Sequence, residues 1–123
     1  MIRILIIDDD ELICDTLVAW VKHDNHDIST AHTVVAGREC VSDASYDIVF
    51  LDVRLPDGNG LDLLPEIRQT TNAPEVIIIT GGGDADGAEL AIRSGAWDYI
   101  QKPFSGKEIL LQLSRALEYR AKK

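Results

Sequence analysis

The chain has 123 residues, 46% of them hydrophobic and 27% charged, enough for one globular domain with a single core. Its 12 basic and 21 acidic residues leave a net charge of −9, which argues against a surface that grips a nucleic-acid backbone directly. The apolar runs are too short to span a bilayer, and Met1-Ile2-Arg3 opens into a strand rather than a signal peptide, so a cytoplasmic protein without membrane contact is expected.

Strand and helix signals alternate five times along the chain. Arg3-Ile4-Leu5-Ile6-Ile7 runs into Asp8-Asp9-Asp10 and reads as a strand buried on both faces. Ile13, Leu17, Trp20 and Val21 then fall on one stripe of an amphipathic helix, and Asp10 before them is either its cap or an exposed acid. A weaker strand around Asp27 to Ala31 precedes a short helix whose apolar face includes Ala36, Cys40 and Val41. Ile48-Val49-Phe50-Leu51 ends in Asp52 and gives way to Pro56-Asp57-Gly58-Asn59-Gly60, dense in turn formers. Leu61, Leu64 and Ile67 mark a third helix, in which Pro65 demands a kink or a late start.

Val76-Ile77-Ile78-Ile79 ends in Thr80, after which Gly81-Gly82-Gly83 is expected to be a flexible loop. Ala88, Ala91 and Ile92 predict a small-residue helix ending at Gly95. Tyr99-Ile100-Gln101 leads to Lys102-Pro103, with Trp97 just before it as a fluorescence probe. The last helix opens on a capping box, Ser105 with Glu108, and carries the stripe Ile109, Leu110, Leu113, Ala116 and Leu117. Its basic end shows no glycine or proline stop, and is either a solvated end that complements the helix dipole or the start of a linker. Cys14 and Cys40 are the only cysteines and are expected to be reduced core thiols; they form no zinc spacing with His23, His26 and His32, which read as surface or loop residues.

Strands alternating with helices require parallel pairing through right-handed crossovers, so the chain is an α/β domain with a five-stranded sheet between helices. Ligands of such sheets sit outside the carboxyl ends of the strands, where Asp8, Asp9, Asp52, Thr80 and Lys102 would converge. Crowded carboxylates raise one another's pKa, and a divalent cation, magnesium for an all-oxygen acidic set, removes that conflict. Asp52, alone on its strand end, is the candidate nucleophile for phosphoryl transfer; Lys102 can bind a phosphoryl oxygen as a point charge and Thr80 can donate its hydroxyl to another. Taken singly, each has a plain reading as helix cap, turn former, strand end or solvated charge.

The stretches Ile6-Ile7-Asp8-Asp9, Leu51-Asp52-Val53-Arg54-Leu55-Pro56-Asp57-Gly58-Asn59-Gly60-Leu61, Ile79-Thr80-Gly81 and Gly95-Ala96-Trp97-Asp98-Tyr99-Ile100-Gln101-Lys102-Pro103-Phe104 resemble the receiver (CheY-like) domain of bacterial two-component response regulators over essentially the whole chain. The resemblance implies a doubly wound (βα)5 fold of flavodoxin-like strand order 2-1-3-4-5. It implies Asp52 as phosphoacceptor, Asp9 as a direct Mg2+ ligand with Asp8 acting largely through water, and the Arg54 backbone carbonyl as a further ligand. Thr80 becomes the switch hydroxyl, Tyr99 the switch aromatic and Lys102 the phosphoryl partner. The expected donor is a sensor histidine kinase or a histidine phosphotransfer protein, and the domain is a switch that catalyses only its own phosphotransfer and autodephosphorylation.

Gly58-Asn59-Gly60-Leu61, Ile79-Thr80-Gly81 and Ala116-Leu117-Glu118-Tyr119-Arg120 are most like NtrC-type transcriptional regulators. On that likeness residues 1–123 are the N-terminal receiver of a longer regulator, nucleic acid is met only through a separate output domain, and a homodimer forms through the last two helices and the last strand. The alternatives are a stand-alone receiver acting by protein binding and, more remotely, an aspartate phosphatase of the haloacid-dehalogenase type. Against the latter, Glu11 stands where that family has Thr or Val, and no acidic pair follows Lys102.

Overall fold

The apolar runs lose their alternation because they occupy the middle of a sheet covered on both sides. The computed structural model describes residues 2–22, 26–81 and 85–122. Five strands, β1 (Arg3–Ile7), β2 (Asp27–Ala31), β3 (Ile48–Asp52), β4 (Glu75–Thr80) and β5 (Asp98–Gln101), alternate with α1 (Glu11–Val21), α2 (Val34–Asp43), α3 (Leu64–Arg68), α4 (Ala85–Arg93) and α5 (Gly106–Ala121). All pairings in the sheet are parallel and the order is β2-β1-β3-β4-β5, the doubly wound arrangement expected.

Successive residues of each central strand serve opposite layers. Ile4, Ile6, Ile48, Phe50, Ile77 and Ile79 pack with Cys14, Leu17 and Val21 of α1 and Ile109, Leu113 and Ala116 of α5. Leu5, Ile7, Val49, Leu51, Val76 and Ile78 pack with residues of α2, α3 and α4, among them Val34, Ile67 and Ala91. Among the described residues no helix is long and apolar enough to cross a membrane.

Local chemistry sets the helix ends. The Asp10 carboxylate caps α1, accepting from the Leu12 and Ile13 amides, and Ser105 accepts from the Glu108 amide at 3.2 Å as the capping box requires. Pro65 falls in the first turn of α3, where a missing N–H costs nothing; a 3-10 turn over Gly60–Leu63 leads into it, so the helix starts late rather than kinking. Gly95, at φ 110°, terminates α4 with the Ala96 amide donating back to Ala91.

Two stripes are narrower than the sequence suggests. Ile92 is 38% exposed while its neighbour Ala91 faces the core, and Leu110 is 43% exposed because Ile109, Leu113 and Ala116 already define the buried line of α5. Cys14 is buried as expected, whereas Cys40 is half-buried; both thiols are free. The expectations for His23, the Gly82-Gly83 part of the glycine loop, the Ala88 side chain and Lys123 fall outside the described residues.

Candidate functional site

The sheet register brings the polar strand ends together. Ile7 pairs with Leu51, Asp52 with Ile79 and Thr80 with Gln101, so Asp8, Asp52, Thr80 and Lys102 lie side by side across the carboxyl edge. The Lys102 amide donates to the Thr80 carbonyl at 2.7 Å, and the Asp8 amide to that of Ala31 at 3.0 Å, which extends the ladder up to the site. The three consecutive acids diverge. Asp8 points inward and is fully buried, Asp9 is exposed at the mouth and Asp10 is spent on the helix cap.

One ammonium serves two buried carboxylates. Lys102 Nζ lies 3.1 Å from Asp8 Oδ2 and 3.7 Å from Asp52 Oδ2, and carboxylate oxygens of Asp8, Asp9 and Asp52 all fall within 4.8 Å of one another. Burial first, and then the Asp8 charge, push the Asp52 carboxyl up from 3.8 to about 7, with Lys102 opposing. Burial also works against the Lys102 ammonium, but Asp52 and Asp8 more than offset it and its pKa stands above the ordinary lysine value. The site therefore holds more negative charge than its own cation balances. An oxygen-only, acidic donor set with that excess fits a hard divalent ion.

The remaining groups bear on reactivity. Thr80 is fully buried and its hydroxyl has no hydrogen-bond partner among the described residues, an unsatisfied donor beside the acids. Behind Asp8, its carbonyl oxygen meets His32 Nδ1 at 2.9 Å and the Cys14 thiol at 3.4 Å. Burial and the Asp8 charge push that thiol up to about 12, so it stays protonated and does not compete as a nucleophile.

Comparison with known proteins gives a match to the response regulator receiver domain over residues 4–114. The chain belongs to that family. The receiver is 32% identical over 123 residues to the response regulator ArlR of Staphylococcus saprophyticus, covering all of this chain and 56% of ArlR. It is 33% identical over 118 residues to the alginate biosynthesis transcriptional regulatory protein AlgB of Pseudomonas putida, covering 96% of this chain and 26% of AlgB. It thus spans about half or less of these relatives' length. Among solved structures, the beryllofluoride-activated NtrC4 receiver domain dimer superposes with a TM-score of 0.89 at 33% identity, covering 98% of this chain and 99% of that one.

Five of the residues singled out from the sequence, Asp8, Asp9, Asp52, Thr80 and Lys102, meet in one cleft of the receiver. Tyr99 does not reach it: the ring is 39% exposed on the edge strand β5. The Arg54 side chain is exposed, and its backbone enters a short hairpin in which Arg54–Leu55 pairs with Gly58–Asn59. Trp97 stacks on Tyr119 at 4.7 Å, at the far end of β5 from Lys102. Trp20, edge-on to Phe104 at 6.1 Å, is the better placed fluorophore, because Phe104 lies two residues beyond Lys102.

Two supporting residues were hidden in the turn-rich stretch. The Asp57 carboxylate accepts from the Val34 and Val35 amides at 2.8 and 3.1 Å, which caps α2 from across the sheet edge and holds its carboxyl below the usual range. Gly60 donates its amide to the Val53 carbonyl at 2.6 Å, and a Cβ at this position would overlap the Asp52 carbonyl oxygen. Backbone cannot swing aside as a side chain can, so Gly60→Ala is expected to cost about 1–3 kcal/mol by overpacking. A lowered urea midpoint at unchanged m-value would register it; an unchanged midpoint would mean that the loop relaxes freely.

Proposed function

We propose that this receiver is a phosphorylation-controlled switch in which Asp52 accepts a phosphoryl group from a phosphohistidine of a sensor histidine kinase or histidine phosphotransfer protein. The observation that carries the reading is the pair of buried carboxylates, Asp8 and Asp52, sharing the single Lys102 ammonium with Asp9 at the mouth. A carboxylate oxygen of Asp52 attacks phosphorus, the P–N bond to the imidazole breaks, and the product is an acyl phosphate that water later cleaves. Asp9, Asp52 and the Arg54 backbone carbonyl would hold Mg2+, with Asp8 acting largely through water. The ion supplies charge neutralisation for the transferring group. Lys102 holds one phosphoryl oxygen as a point charge, and the Thr80 hydroxyl, without a partner among the described residues, donates to another. The only chemistry assigned to the domain is its own phosphotransfer and autodephosphorylation.

The output follows from the same groups. Movement of Thr80 toward the phosphoryl group vacates space behind it, into which the exposed Tyr99 ring turns, and the surface made by α4, β5 and α5 changes. Reversing a population from 1:99 to 99:1 takes about 5.5 kcal/mol of differential interaction. New charge-assisted hydrogen bonds and repacking of one aromatic ring are of that order. We read the chain as the N-terminal receiver of a longer cytoplasmic regulator that controls transcription through a separate DNA-binding domain, with pairing of receivers through α4, β5 and α5. The transcriptional names of relatives and the dimeric NtrC4 receiver support this.

Incubation with acetyl phosphate and magnesium is the direct test, with one added phosphoryl mass, labile to hydroxylamine, as the expected result. No gain in mass would remove the phosphoacceptor reading. Sedimentation with and without beryllofluoride addresses pairing: a shift toward dimer is expected, and a monomer in both states would remove the dimeric output.

A further inference from the structure

The pole opposite the acids carries a second, partly buried ionic cluster, centred on a buried glutamate, that phosphoryl chemistry does not use. Glu75 opens β4 with its side chain 4% exposed, and arginines from two helices converge on it. Arg68 of α3 places Nη1 3.1 Å from Oε1, and Arg120 of α5 places Nη1 2.9 Å from Oε2. Arg120 also donates to the carbonyls of Ala73 at 2.9 Å and Asn72 at 2.6 Å, and its Nε lies 3.3 Å from Asp47 Oδ1, just ahead of β3. Arg68 donates to the carbonyls of Ala73 and Pro74. Three successive carbonyls thus wrap the two guanidinium groups, and Ala73 adopts φ 42° to allow it, a conformation uncommon outside glycine. Arg120, read from the sequence as part of a solvated or linker-bound tail, is an anchor.

The two ends of α5 are held differently. At the carboxyl end are the guanidinium fork and, one residue earlier, the Tyr119 ring stacked on Trp97. At the amino end, four residues beyond Lys102, the first contacts are apolar: the Trp20 ring covers Gly106, where a Cβ would come within 3.0 Å of it, and meets Phe104 edge-on, and further along a neutral donor, Gln112 Nε2, reaches Asp98 Oδ2 at 2.9 Å. Aromatic edges can slide. The Glu75 carboxylate is buried beneath its half-buried arginines, so parting them strands an uncompensated charge.

We propose that the Arg120–Glu75–Arg68 cluster is the fixed pivot of α5, about which the helix tilts when its amino end is displaced from the phosphoacceptor cleft. The source of that displacement rests on the phosphoacceptor reading above. A helix of 16 residues is about 24 Å long, so a small shift beside Lys102 becomes a rotation about Arg120, graded along the exposed Leu110 and Leu111 face. Only a planar fork can engage Asp47, Glu75 and the Asn72 carbonyl together, which makes Arg120 a positioning residue that lysine replaces incompletely.

Amide hydrogen exchange on the full chain, with and without beryllofluoride and magnesium, tests this with wild type, Arg120→Gln and Arg120→Lys. In wild type, amides 117–121 should exchange as slowly as those of β4 and ignore beryllofluoride, while amides 106–113 respond. In Arg120→Gln, amides 117–121 should exchange about tenfold faster or more, and the response should reach them, with β1 and β3 still protected; Arg120→Lys should fall between. A wild-type response at 117–121 equal to that at 106–113, or unchanged protection there in Arg120→Gln, overturns the pivot alone. So does a loss of protection in β1 and β3 in both variants, which would make the cluster a support of the whole fold. No response anywhere in wild type overturns the phosphoacceptor reading and the pivot with it.

Discussion

Asp52→Asn is expected to abolish phosphoryl transfer from acetyl phosphate while leaving the domain folded. Asparagine preserves the shape at the end of β3 but its amide is no nucleophile, and the neighbouring acids are committed elsewhere. Asp8 is engaged by the Asp10 amide and by Lys102, Asp10 caps α1, and Asp9, exposed at the mouth, is the proposed metal ligand, so none of the three is expected to present a free carboxylate in line with an incoming phosphorus. Asp9→Asn and Lys102→Ala should slow the transfer yet leave its single acceptor in place. Intact-mass measurement over a time course separates these cases. An Asp52→Asn protein that gains the same phosphoryl mass as wild type would move the acceptor to another residue. The substitution also removes one of two carboxylates competing for one ammonium, so the metal-free variant should melt above metal-free wild type.

Magnesium should stabilise the fold, and more strongly as pH rises from about 5 to 8. Folding brings the Asp52 pKa from 3.8 to about 7, so the folded chain holds this proton more tightly than the unfolded chain does. That contribution favours folding in full below about 3.8 and is lost as pH rises through about 7. At about 1.4 kcal/mol per pKa unit, the loss is on the order of a few kcal/mol. A cation in the cluster takes over the proton's role, and by mass action stabilises by about 2.7 kcal/mol when its free concentration is 100 times its dissociation constant. Thermal melts in millimolar magnesium at pH 5 and pH 8 are the measurement, with the larger increment expected at pH 8. Asp9→Asn should shrink the increment at both. A melting temperature indifferent to magnesium at pH 8 would be incompatible with a cation at Asp8, Asp9 and Asp52.

The layered sheet was legible because its central strands are apolar on both faces, and a run such as Val76 to Ile79, short, β-branched and bounded by Pro74 and Gly81, suits a strand covered on both sides. The cleft was legible for a related reason: in a parallel sheet every strand end faces the same way, so a polar residue just past each run has a predictable neighbour. Side-chain direction was not. Nothing in the local spacing distinguishes Ile92 and Leu110, which face outward, from Ala91 and Ile109, which face inward; the choice is made by what the sheet presents to each helix. Long-range polar pairings were also silent. Asp57 reads as a turn residue until α2 is seen to begin at its carboxylate, and Arg120 reads as a terminal charge until the fold brings Glu75 beneath it. An acid at the first position of an otherwise wholly buried strand was the one hint that a cation would have to come from elsewhere.

The bolting of the segment after Asp52 has a mechanical consequence. Gly60 lies flush against the Asp52 carbonyl, its amide is tied to Val53, and Asp57 fastens the same segment to the head of α2. On the other flank of Asp52, the Thr80 hydroxyl has no partner among the described residues, and Ala91 is the one buried side chain described on α4. One flank is a stator and the other a rotor. On the phosphoacceptor reading, force generated at Asp52 would meet a stiff side and a more compliant one, so the signal is expected to leave toward Thr80, α4 and β5, with the α2 side as the frame it pushes against.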